Sequence, residues 1–171
     1  MIVLMAGLPG TGKTTLAREL ALRTQGALIS KDEIRAALFS RHDIEYSVEQ
    51  DDFVMQVMLD AAGYLLRKNL GRKIFLDGRT FSRRYQIDRV VEFARERDQP
   101  SRIIECTCSE SSARQRLDVN PDPLHPAENR SFALYLNVKE RFEAIVYPKT
   151  VIDTDDPPEV CVARALAALK G

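Results

Sequence analysis

Gly7, Gly12, Lys13 and Thr14 fall at the spacing G-x-x-x-x-G-K-[ST], within the run Gly7-Leu8-Pro9-Gly10-Thr11-Gly12-Lys13-Thr14. The spacing has a physical purpose. Glycines let the backbone turn its N–H groups inward as a nest for phosphate oxygens. A helix that starts there adds the positive end of its dipole. Lys13 can then bridge the β- and γ-phosphates of a nucleoside triphosphate, the Thr14 hydroxyl can ligate Mg2+, and Thr15 falls beside the α-phosphate. A glycine-rich turn without a ligand is the bland alternative. Every fixed position of the motif is matched, an apolar run precedes it and an amphipathic helix follows, which weighs against that alternative. The motif is silent on any second substrate.

Two carboxylates stand where a second chemistry could sit. Ser30-Lys31-Asp32-Glu33-Ile34-Arg35 follows the apolar Ala27–Ile29. If those are a strand, Asp32 lies at the carboxyl edge of a sheet, where ligands bind in open α/β folds. Alternatively, Asp32 and Glu33 simply charge the first turn of a helix, where acids are favourable. Lys31 and Glu33 read as solvated. Asp77 ends the apolar Lys73–Leu76 in a Walker-B-like arrangement that could hold Mg2+ through water; an Asp-Gly strand-end turn is the alternative. Arg79, Arg83 and Arg84 follow, a cluster that could grip an anion or lie on a helix surface. Between His42 and Asp60 stand six acids and no Lys or Arg. Facing a site, they would repel a polynucleotide backbone and tolerate a neutral or cationic small molecule; otherwise they are a solvated face. Most aromatics read as core, with Phe81 and Tyr85 the two that could face a site. His125 reads as a turn residue.

The elements that must position these groups alternate in period. Strands are expected at Ile2–Ala6, Ala27–Ile29, Lys73–Leu76, Arg102–Cys108 and Thr150–Ile152. Helices are expected at Lys13–Arg23, Lys31–Phe39, Val48–Leu70, Ser82–Arg97, Ser109–Leu117, Ser131–Ile145 and Pro158–Leu169. Ser30 with Glu33 three residues on forms a capping-box pattern. Such alternation predicts a five-stranded parallel sheet with helices on both faces, a three-layer α/β/α sandwich. The Pro-rich stretch at about 118–130 reads as a loop long enough to be a lid.

Length and composition narrow the rest. The 171 residues suit one domain, and a hydrophobic fraction of 44% supplies a core. Lys+Arg and Asp+Glu are both 25, so a protein that coats polyanions over its whole surface is disfavoured. Three cysteines are too few and odd in number for a disulfide framework, which predicts free thiols and a cytoplasmic home. No apolar run reaches the ~18–20 residues that span a membrane.

The segments GLPGTGKTTLAREL, ISKDEIR, IFLDGRTFSRR and RQRL followed by HPAENR together resemble the small P-loop kinases of the polynucleotide-kinase and zeta-toxin neighbourhood, AAA-type predicted kinases among them. The resemblance runs in order through nearly the whole chain. It implies a nucleoside-kinase-like P-loop NTPase fold, ATP and Mg2+ as cofactors, and transfer of a phosphoryl group to an acceptor hydroxyl. It implies nucleotide binding by Gly7, Leu8, Pro9, Gly10, Thr11, Gly12, Lys13, Thr14 and Thr15. Thr14 and Asp77 are the expected metal residues. By the same resemblance Asp32 is the general base, Arg35 binds the acceptor, and Asp77 orients Arg35. Arg79 and Arg83 are further acceptor contacts. Lid arginines that neutralise the transferring phosphate are expected at Arg116 first and Arg130 second, with Arg114 a lesser candidate. The stretch 118–128 itself lacks the two arginines usual in such lids. A small-molecule acceptor is the leading expectation, with a monomer or homodimer and no membrane partner. A 5′-hydroxyl polynucleotide kinase is the first alternative, and a nucleotide-dependent ATPase switch or chaperone-like binding protein is the second.

Overall fold

The structure, a computed structural model, describes residues 1–119, 127 and 129–170. The lid expected at about 118–130 falls largely outside the described residues, and so does His125. Five strands appear: β1 (Ile2–Ala6), β2 (Ala27–Ser30), β3 (Ile74–Asp77), β4 (Ser101–Thr107) and β5 (Thr150–Asp153). They form one all-parallel sheet in the order β2-β3-β1-β4-β5. β1 lies at the centre with every residue wholly buried, as expected of a strand covered on both faces.

Alternation along β1 divides the core. Ile2 and Leu4 pack with α3 (Val48–Lys68) and α4 (Arg84–Arg95), through Met55, Met58, Ile87 and Val90. Val3 and Met5 pack on the other face with α1 (Lys13–Thr24) and α7 (Pro158–Ala168), through Leu16, Leu20, Val162 and Ala165. The result is the three-layer α/β/α P-loop sandwich that the alternating pattern predicts. Cys106 and Cys161 belong to the second core, and all three cysteines are free thiols. Burial pushes the Cys106 thiol up to about 12, so it stays protonated and inert. Among the described residues no helix is long and apolar enough to cross a membrane.

The remaining helices are α2 (Lys31–Leu38), α5 (Glu110–Arg114) and α6 (Phe132–Glu140). Two departures from the expected elements bear on the site. The helix expected from Ser82 begins at Arg84, because Ser82 is buried and its carbonyl accepts the Glu143 N–H at 2.9 Å. The helix expected over Ser109–Leu117 is α-helical only to Arg114 and widens into a π-helical turn over Gln115–Val119. That turn re-aims Arg116, as such bulges do at functional sites.

Candidate active site

The site forms at the carboxyl edge of the sheet, where β1, β2 and β3 each hand over to a loop or helix. β1 ends at Ala6 and leads into the glycine loop. Gly7 is held at φ 130°, and a Cβ there would come within 2.2 Å of the Cys106 carbonyl oxygen. Glycine is therefore obligatory at this close approach of the loop to β4. Gly10 and Gly12 also have positive φ, 76° and 77°, and Gly12 caps α1. The first turn of α1 carries no acid, so its positive end is left for an anion. The Leu8 carbonyl accepts bonds from the Thr11 hydroxyl at 2.8 Å and the Lys13 ammonium at 2.7 Å, and so draws the loop closed.

Lys13 is buried, and burial pulls its ammonium below the ordinary lysine range. The Asp77 carboxylate opposes this most, Asp32 acts in the same sense, and the Arg130 guanidinium adds to the lowering. A triphosphate arriving beside it favours its charged form. Thr14 donates its hydroxyl to Asp77 Oδ2 at 2.7 Å. Asp77 is 1% exposed, and its Oδ1 has no hydrogen-bond partner among the described residues. A buried carboxylate with one oxygen unspent, bonded to the motif threonine, fits a hard cation. Thr14 and Asp77 are thus the residues that could hold Mg2+, directly or through water. Elsewhere among the described residues no group of three or more His, Cys, Asp or Glu could hold a metal.

The sheet register sets the second half of the site. Ser30 of β2 pairs with Asp77 of β3, so Asp32, two residues on, stands at the same edge as Asp77. Ser30 caps α2 by accepting the Glu33 N–H at 3.4 Å. The reciprocal half of the capping box is not made, for Glu33 faces Arg18 at the surface, 3.5 Å away. Gly78, at φ 89°, lets the chain turn beneath α2. A Cβ there would lie 3.0 Å from both the backbone N and the Cβ of Lys31.

Lys31 is not solvated. It is 7% exposed, and its ammonium lies 2.9 Å from Asp51 Oδ1. Arg35, 2% exposed, bonds the same Asp51 oxygen, lies 3.6 Å from Asp32 and stacks over the Tyr46 ring at 5.0 Å. Arg79, 4% exposed, donates to the Asp51 carbonyl at 3.3 Å, pairs with Asp52 at 2.7 Å and reaches the Tyr85 hydroxyl at 3.4 Å. Asp51 therefore gathers Lys31 and Arg35 by its carboxylate and Arg79 by its backbone. Sequence reasoning missed this hub. Its only trace was one acid among six, in a stretch of no special pattern.

The remaining predicted residues divide. Pro9, Gly10, Gly12, Lys13, Thr14 and Thr15 line one cavity of about 760 Å3, which Asp32, Arg35, Arg79, Arg83, Arg116 and Arg130 also line. Such a volume suits small-molecule ligands. Gly7, Leu8 and Thr11 shape the loop without lining that cavity. Arg83 is half-exposed and paired with Glu143 at 2.9 Å, while Arg84 pairs with Asp88 on the surface of α4. Arg116 donates to the Gly10 carbonyl at 3.3 Å and to Thr154 at 2.9 and 2.8 Å, bracing the glycine loop against the turn after β5. Arg114 turns away and stacks on Phe132. Phe81 belongs to the core, at 1% exposure, whereas Tyr85 lines the cavity.

This architecture recurs in solved structures. The APS kinase CysC of Mycobacterium tuberculosis, in complex with AMPPNP and APS, superposes with a TM-score of 0.73 at 13% identity, over 99% of this chain and 97% of that one. A gluconokinase from Sinorhizobium meliloti 1021 gives 0.66 at 19% identity, over 98% and 90%. Chaetomium thermophilum Kti12, in complex with ADP-AlF3, gives 0.66 at 18% identity, over 100% of both chains. At such identities the likeness is one of fold. None of the curated proteins matches the chain. A family model for the AAA domain matches residues 2–145, the span that carries the glycine loop, Asp32 and Asp77, and the chain accordingly belongs to that family.

Proposed function

We propose that this protein transfers the γ-phosphoryl group of ATP to a hydroxyl of a small-molecule acceptor, with Asp32 as general base. The observation that carries the reading is the position of Asp32. It shares one cavity with Lys13 and Thr14, acts electrostatically on Lys13, and stands beside Asp77 through the register of β2 and β3. A switch that only bound nucleotide would need no carboxylate there.

The glycine loop and the start of α1 bind the triphosphate. Lys13 follows charge onto the β- and γ-oxygens. Thr14 and Asp77 hold Mg2+, which when bound supplies neutralisation of the phosphate oxygens. In the transfer, the acceptor oxygen bonds to the γ-phosphorus, the bond from that phosphorus to the ADP oxygen breaks, and the hydroxyl proton passes to Asp32. General-base help of this kind contributes about 10²–10⁴-fold. Arg35 and Arg79 form the acceptor wall, with Arg83 at its rim. Of the two lid arginines, Arg116 is the first candidate for the transferring phosphate and Arg130 the second; both line the cavity that holds Lys13. Arg116 braces the loop that carries the nucleotide.

The test is transfer of label from γ-labelled ATP with Mg2+, in a cell extract holding both metabolites and 5′-hydroxyl oligonucleotides, beside Asp32→Ala. Label entering a small-molecule fraction only with Asp32 intact is the expected result. Label in the polymer fraction would replace the acceptor with a polynucleotide. Label confined to inorganic phosphate, at equal rates in both proteins, would overturn the phosphotransferase reading.

A further inference from the structure

We infer that Asp51 is a positioning residue for the general base: from α3 it holds Lys31 and Arg35 off the Asp32 carboxylate. The inference rests on the phosphotransferase reading and adds one residue to it.

Cations crowd around Asp32. Lys31 precedes it in the first turn of α2, and Arg35 stands three residues on, a helical spacing at which opposite charges pair. Lys13 of the glycine loop feels its charge, and Asp77 lies at the same sheet edge. Left to itself, α2 would close its own lysine and arginine onto its own aspartate. A carboxylate drawn into such contacts is a weaker base, and its oxygens are engaged before an acceptor hydroxyl arrives.

Asp51 intercepts both cations. Lys31 Nζ lies 2.9 Å from Asp51 Oδ1 but 4.0 Å from Asp32 Oδ1. Arg35 Nη2 bonds the same Asp51 oxygen, while Arg35 Nη1 stays 3.6 Å from Asp32 Oδ1. Both cations are thus within hydrogen-bond distance of Asp51, and neither is within it of Asp32. Lys31 and Arg35 are buried, so their partner must come from the protein.

The helix end that carries Asp51 is well anchored. Ser47 caps α3 by accepting the Gln50 N–H at 3.1 Å. Buried Gln50 donates to the Asp43 carbonyl at 2.8 Å and accepts the Glu45 N–H at 3.1 Å. Val54 and Met55, on the next turn, lie in the core. A carboxylate on such a rigid element can keep two cations at a fixed distance from a neighbour. The positive end of a helix favours acids in its first turn, and exposed Glu49 meets that need as well. It does not account for an acid that meets two buried cations.

The test follows label from γ-labelled ATP, with Mg2+, into the small-molecule fraction of a cell extract. Asp51→Asn, Lys31→Met and the two together are compared. Asp51→Asn releases both cations onto Asp32. A general base contributes about 10²–10⁴-fold, and the maximal rate is expected to fall by at least about tenfold with KM for ATP unchanged. Adding Lys31→Met removes one released cation and should return at least about threefold of that loss. A second substitution at the site would not repair a merely structural defect. The double variant should stay slower than Lys31→Met alone, because Arg35 is still released. Asp60→Asn, on exposed α3 surface beside Gln56, controls for loss of charge as such and should leave the rate unchanged. Thermal unfolding with AMPPNP reports whether each variant folds. If Asp51→Asn alone does not fold, the charge-balanced double variant against Lys31→Met carries the test, through Arg35. Asp51→Asn at the wild-type rate, a raised KM with the maximal rate kept, a double variant no faster than Asp51→Asn, or one equal to Lys31→Met overturns the inference. Failure of the phosphotransferase reading looks different: the unmodified protein itself moves label only to inorganic phosphate, and the inference falls with it.

Discussion

Replacing Asp77 by Asn isolates the charge of the carboxylate from its shape. Asp77 is 1% exposed, accepts the Thr14 hydroxyl at 2.7 Å through Oδ2 and leaves Oδ1 unpaired among the described residues. In the ligand-free protein the exchange weakens a charge-assisted bond and removes attraction for Lys13. It also removes a buried charge that is only half satisfied. The effects oppose, so ligand-free stability is expected to stay within about 1 kcal/mol of wild type. With nucleotide and Mg2+ they no longer oppose. Loss of a carboxylate that supports a metal costs about 10–100-fold in affinity. Each tenfold is about 1.4 kcal/mol, so about 1.4–2.7 kcal/mol of ligand-linked stabilisation disappears. For 171 residues this is roughly 3–10 °C of melting temperature. The assay is thermal unfolding with AMPPNP, with and without Mg2+. Only the Mg2+-dependent part of the shift should shrink. A variant that keeps that part in full, or loses the Mg2+-independent part equally, refutes the assignment of Asp77 to the metal.

Asp32→Ala should keep the AMPPNP-dependent thermal shift while losing phosphotransfer by about 10²–10⁴-fold; loss of both together would mean that Asp32 serves binding. Gly7→Ala should cost at least about 3 kcal/mol in denaturant unfolding, since its Cβ would lie 2.2 Å from the Cys106 carbonyl at a φ that L residues avoid. Gly63→Ala is the counterpart. Its Cβ, in the middle of α3, would meet nothing nearer than 3.5 Å, and a gain of about 0.5–1 kcal/mol is expected in the same assay. Lys13, lowered by burial from its ordinary 10.5, predicts a pH dependence of both stability and binding. A base whose folded value is depressed destabilises the ligand-free protein below that value, and the penalty fades as pH rises from it towards 10.5. A triphosphate restores the charge, so nucleotide affinity should fall with rising pH over the same window. Calorimetry in buffers of different ionisation heat should show net proton uptake there, absent in Lys13→Met.

The sequence by itself determined whatever is local. The glycine loop was legible because its backbone turns, its nest of N–H groups and its lysine and threonine all lie within Gly7–Thr14. The five strands were legible because period-2 and apolar runs alternate with helical periods, and the order of such units restricts a parallel sheet to few arrangements. Asp32 and Asp77 could be placed at one edge because Asp77 ends one strand and Asp32 follows closely on the end of another, and the register of Ser30 with Asp77 bears this out.

Only the tertiary structure decided which charges meet. Lys31 looked solvated because periodicity shows what faces a helix presents and not what lies opposite them; opposite it stands Asp51, from α3. Whether the acids between His42 and Asp60 face a site or solvent stayed open in the sequence, because composition carries no direction. Phe81 seemed free to face the site, but a left-handed turn at φ 53° sends it into the core and delays the start of α4 to Arg84. Arg116 is aimed at the glycine loop by a π-helical turn that no pattern of residues announces. In each case the deciding partner comes from another element, and a pairing between elements is set by how the layers pack.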